Sequence, residues 1–165
     1  MKNFKKKNKG YVLLETIFYI VLFAMLSISV IDALLTMTKS FKETTIQAEL
    51  MQGGNIMERL SREIKQAYGV NTINVNDLKL NTTDTNGTKK TIEFLLSGSD
   101  IVLKDNDVFT GNLNGENIKV TNLTFTQINT AKSKGIKIFL TVSSNDDMQN
   151  RTEDFYDTVV LRGNY

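Results

Sequence analysis

Glu15 calls for an explanation before any other residue. It stands five positions after Gly10 in KKKNKGYVLLETIFYIVLFAML (5–26), near the head of a run, 11–31, whose only other ionisable side chains are the phenols of Tyr11 and Tyr19. An ionised carboxylate in such a run costs on the order of 3 kcal/mol in a bilayer, so it needs a partner or a task. Snorkelling towards headgroups, or pairing with its own backbone terminus, is one answer. A free cation at matching depth is another. A cut after Gly10 would leave a Tyr11 amine, with a pKa of roughly 8, at the membrane edge, where one chain's amine can neutralise the next chain's carboxylate.

The remaining chemistry is sparse. With neither His nor Cys in 165 residues, Ser/His and Cys/His nucleophiles, disulfides and thiolate metal sites are all excluded. Carboxylate or lysine catalysis remains formally open, but the acidic pair Asp146 and Asp147 sits in loop-like sequence with no visible partner, and no enzyme is expected. Asp105, Asp107, Asn112, Asn114 and Glu116 in KDNDVFTGNLNGE (104–116) are hard oxygen donors and the one calcium candidate; a solvated loop is the plainer expectation, because Phe109 occupies the place of an EF-hand's third ligand. No cofactor is expected. Lys132, Lys134 and Lys137 form a small basic cluster without regularly interleaved aromatics, so nucleic acid is an unlikely but open partner. The sequons at Asn81, Asn86, Asn122 and Asn150 read as turns.

Charge is unevenly divided. Residues 1–10 carry five lysines and no acid, which leaves 15 basic against 18 acidic residues in the rest of the chain. The net +2 is therefore the leader's, and beyond it the chain is acidic. At 1.5 Å per residue, 11–31 spans ~31 Å, the thickness of a bilayer core. The lysines before it and Asp32 after it orient residues 1–10 to the cytoplasm and everything after Asp32 outside. A discarded signal peptide would need a small-x-small cleavage site, for which Ser27 and Ser29 are the one loose candidate.

Past the apolar run, Ile46, Leu50, Met57, Leu60, Ile64 and Ala67 recur in helical period, so the helix is expected to continue over 32–68. A coiled coil is the alternative, but sustained heptads are lacking. Gly53-Gly54 is the expected bend and AYGV (67–70) the stop. From residue 69 onwards, β-branched runs alternate with Asn, Asp, Gly and Ser. TIEFLL (91–96), DIVLK (100–104), NLTFTQI (122–128), GIKIFLTVS (135–143) and DFYDTVVLR (154–162) read as strands. DTNGT (84–88) and SGSD (97–100) suit hairpins, and NLNGEN (112–117) a loop. The expectation is an α+β chain: a long N-terminal helical spine packed on one small antiparallel sheet.

The stretch 5–26 resembles the N-terminal signal of type IV pilins and type II secretion pseudopilins: a short lysine-rich leader, a glycine, an aromatic residue, an apolar run, and a glutamate fifth after the glycine. The resemblance implies a leader (1–10) removed by a prepilin peptidase between Gly10 and Tyr11, and N-methylation of Tyr11, a conservative departure from the family's usual Phe. It also implies an assembly helix (11–31), its continuation (32–68), and a β domain (69–165). By the same resemblance, Glu15 serves subunit recruitment and pairs with a neighbour's terminal amine, and the partners are other subunits, the peptidase, the inner-membrane assembly platform and the lipid membrane. MERLSREIKQA (57–67) and FYDTVVLRGNY (155–165) resemble the J-type pseudopilins and W-type minor pilins, although a solvated helix face and an edge strand would look the same. The competing reading is a signal-anchored module whose β domain recognises a ligand.

Overall fold

The computed structural model describes residues 9–129 and 134–161. One helix, α1 (Lys9–Gln66), is followed by eight strands: β1 (Gly69–Asn74), β2 (Asp77–Thr83), β3 (Lys89–Ser97), β4 (Asp100–Asp105), β5 (Val108–Asn112), β6 (Ile118–Asn129), β7 (Lys134–Ser144) and β8 (Thr152–Val160). The chain divides into two compact units, Met1–Thr44 and Thr45–Tyr165, and α1 runs through both.

In the first unit, all twenty large apolar and aromatic residues between positions 11 and 41 are exposed. Leaving side chains of this size in water forfeits about 1.5–3 kcal/mol each, so the surface requires a cover. The helix is long and apolar enough to span a membrane.

The second unit builds its own core. The stripe expected from the sequence is buried in full, from Ile46 to Ala67, and Gly53 and Ile56 complete it. Opposite it stand two antiparallel sheets, β1-β2-β3-β4-β5 and β6-β7-β8, where one was expected. The second sheet is the more legible. Ile136, Ile138, Leu140 and Val142 of β7 alternate inward and are fully buried. In β6 the inward residues are Ile118 and Val120, then Leu123 and Phe125, one residue out of step. A register shift between Val120 and Asn122 absorbs Thr121 as a bulge, keeping both halves of the strand on the core face. In the first sheet, Leu78, Leu80, Ile92, Phe94 and Ile101 point inward. The helix ends at Gln66 because Tyr68 N–H is already committed to the Asn81 carbonyl (3.0 Å), which starts β1. Residue 162, the expected end of the last strand, lies outside the described residues, and β8 ends at Val160.

Two polar contacts fasten α1 to the second sheet. Ser144 Oγ donates to Glu49 Oε2 (2.5 Å), both residues being buried, and Ser61 Oγ donates to Asp157 Oδ2. Between them lies the pair of glycines. Neither breaks the helix. A Cβ on Gly53 would stand 2.8 and 2.9 Å from two Phe155 ring carbons and nearer still to a third, whereas one on Gly54 would make an ordinary 3.7 Å contact. Gly53 is therefore a seat for the Phe155 ring. Gly→Ala in a helix gains about 1 kcal/mol of propensity, against about 1–3 kcal/mol lost to overpacking. Gly54→Ala is expected to stabilise fragment 32–165 and Gly53→Ala to destabilise it, an opposition in sign that urea unfolding of the two variants would read directly.

The loop before β8 is held by one carboxylate. Asp147 accepts hydrogen bonds from Arg151 Nε (2.8 Å), Arg151 N (2.9 Å) and Gln149 N (3.1 Å). The Arg151 guanidinium, with these backbone donors, holds its pKa down from 3.8 to about 2. A depressed carboxylate stabilises the fold above its unfolded pKa and ceases to do so as pH falls through the folded value. Between about pH 4 and pH 2, wild-type fragment 32–165 is expected to lose stability more steeply than Asp147→Asn, compared by urea midpoints across that range.

Candidate functional site

Helical side chains tilt towards the N-terminus, so residues four apart meet on one face. Tyr19 accordingly leans back over Glu15, and its hydroxyl donates to Glu15 Oε1 at 3.3 Å. The Phe18 ring meets Tyr19 edge to face, centroids 6.3 Å apart. Thr16 Oγ1 donates to the carbonyls of Val12 (3.1 Å) and Leu13 (2.9 Å), Ser27 to Phe23 (2.8 Å) and Ser29 to Met25 (3.0 Å). The serine and threonine hydroxyls of 11–31 thus find acceptors within their own helix, which is what a segment without water around it requires. The Glu15–Tyr19 contact is legible in the sequence as an i, i+4 pair, although its donor is a neutral phenol and not the expected cation.

Gly10 lies within α1, with Tyr11 three-quarters exposed one helical turn before Glu15. The leader residues Lys2, Lys5, Lys6 and Lys7 lie outside the described residues. Glu15 is exposed, and a donor arriving from outside the helix can reach its carboxyl.

The calcium candidates are not brought together. Asp105 and Asp107 lie at the β4–β5 turn, a true hairpin with Asn106 (φ 50°) and Asp107 (φ 66°) in the left-handed region, where a loop was expected. Asp105 pairs with Lys90 (2.8 Å) and Asp107 with Lys79 (2.5 Å). That hydrogen bond lowers the Asp107 pKa and raises that of Lys79. Asn112 and Asn114 lie at the other end of the hairpin, where both donate to Asp100 (3.0 and 2.8 Å). Asn114 is buried, with its Oδ1 accepting from Ile101 N (2.9 Å) and its Nδ2 also donating to the Ile118 carbonyl (3.0 Å). Its role is to close the turn into β6. Glu116 follows in the exposed part of that loop. Among the described residues, no three acidic side chains converge on a metal-sized site.

Lys132 lies outside the described residues, and Lys134 and Lys137 are exposed on β7. Beside Lys137, the register sets Phe139 opposite Tyr156, rings stacked 4.7 Å apart, a cross-strand pair that sequence spacing does not reveal. An open groove of about 940 Å³ runs between the last turns of α1 and β8, lined by Met57, Arg62, Lys65, Tyr156 and Val160 among others. No known protein family, no curated protein and no solved structure matches this chain.

Proposed function

We propose that this chain is a minor pilin or pseudopilin, a structural subunit of a type IV pilus, type II secretion or DNA-uptake filament. Its leader is removed after Gly10 by a prepilin peptidase, and the new Tyr11 terminus is methylated. The mature chain waits in the cytoplasmic membrane with residues beyond 32 outside, then moves through the assembly platform into a filament or priming complex. There its apolar helix packs among those of other subunits, and Glu15 meets a neighbour's Tyr11 amine. The observation that carries this reading is that α1 is a single helix bearing both an exposed, membrane-length apolar run with one carboxyl near its head and a stripe buried in the core of a β domain. A simple anchor has no use for that carboxyl. N-terminal sequencing of the membrane-bound protein tests it: a mature chain beginning at Tyr11 supports the reading, and one that never begins there ends it.

A further inference from the structure

We propose that Tyr19 is a placeholder for the assembly partner of Glu15. Its hydroxyl holds the carboxyl while the chain stands alone in the membrane, and releases it when a neighbour's Tyr11 amine arrives. The holding half stands on the geometry alone; the release half rests on the function proposed above. A lone inserted chain faces the same penalty for its carboxyl as an assembled one, yet has no neighbour to relieve it. Thr16, the next residue in the chain, is turned to the Val12 and Leu13 carbonyls. Tyr19 is the donor that reaches Glu15, and the contact also satisfies a phenol that would otherwise lie unpaired in apolar surroundings.

The geometry suits a bond made to be exchanged. At 3.3 Å it is longer than the 2.7–2.8 Å typical of O–H···O bonds, so it is weak. The phenol is neutral, whereas an ammonium brings a full counter-charge to the carboxylate together with its hydrogen bond, so the exchange runs downhill.

The first test uses the full chain, alone in vesicles of phosphatidylethanolamine and phosphatidylglycerol, with its five tyrosines labelled at Cζ for solid-state NMR. The Tyr19 signal is the one lost in Tyr19→Phe. It is expected to shift in Glu15→Leu while the Tyr68 and Tyr156 signals stay in place; a Tyr19 signal that does not move overturns the contact. The second test co-expresses wild-type and Tyr19→Phe chains at equal membrane levels with the assembly machinery. Tyr19→Phe surrenders no bond on exchange and is expected to be enriched about two- to twelve-fold in crosslinked assemblies, the factor of one hydrogen bond. An equal share or a deficit overturns the release. A wild-type chain never cut after Gly10 would remove the filament reading and the release with it, while the vesicle measurement would still decide the contact.

Discussion

Glu15→Leu is expected to insert and to be cut normally, and then to be missing from the assembly. The substitution makes the run more apolar, so insertion does not suffer. On the proposed function, what would be lost is the partner of a neighbour's Tyr11 amine, which would enter a low-dielectric bundle with its charge uncompensated. Stranding one member of a buried pair costs about 3–5 kcal/mol, a suppression of roughly 10²-fold to several thousand-fold. Charge rather than size decides the outcome. Glu15→Gln keeps an oxygen that can accept from Tyr19, so the lone chain is spared, yet it cannot neutralise an amine and should fail nearly as badly as Leu. Glu15→Asp, shorter but charged, should retain part of the incorporation. Quantifying the variants in sheared filaments or crosslinked complexes decides the matter, and wild-type levels of the Leu and Gln forms would reduce Glu15 to a snorkelling residue.

Gly10→Val is expected to abolish leader removal altogether. A peptidase that cuts between Gly10 and Tyr11 must close on backbone at residue 10, where only a hydrogen now stands, and a β-branched side chain both fills that space and restricts the backbone. Residue 10 lies within α1, and valine is tolerated in a helix at a few tenths of a kcal/mol, so the variant should still insert. The loss would therefore report on recognition and not on folding. N-terminal sequencing reads it, and a variant still beginning at Tyr11 would remove the cleavage assignment.

How much of this was legible depended on how each residue is held. The stripe from Ile46 to Ala67 could be read because a helix face buried on one side leaves an unmistakable period, and β7 could be read because its four inward aliphatics alternate without interruption. The N-terminal part of β6 was hidden by its bulge, which breaks the alternation at Thr121. β1 and β2 were missed for another reason: their outward positions hold Asn, Asp, Lys and Thr, which mimic loop sequence. β5 is short and buries no residue at all, leaving even Val108 and Phe109 exposed, so it has no inward face to read. The split into two sheets has no local signature, since it is decided by which strands pair. The packing role of Gly53 was invisible because propensity registers the missing side chain but not the Phe155 ring from a strand a hundred residues away. At the candidate site, Glu15 announced itself by being costly where it stands, while Tyr19 passed as one more amphipathic aromatic at a membrane edge.

The two Asn-Gly steps give the chain a chemical clock with two very different rates. An asparagine followed by glycine loses its amide when the glycine nitrogen attacks the side-chain carbonyl, a reaction that requires both backbone and side chain to turn freely. Asn86-Gly87 sits exposed at the tip of the β2–β3 hairpin, and a new carboxylate there would face water. Asn114-Gly115 presents the same two residues, but the Asn114 amide is pinned at both ends by Ile101, Asp100 and Ile118. A carboxylate in its place could no longer donate to the Ile118 carbonyl and would confront that of Asp100. Ageing should therefore mark the hairpin tip long before the turn into β6, and the same hydrogen bonds that close that turn protect it from a reaction its sequence invites.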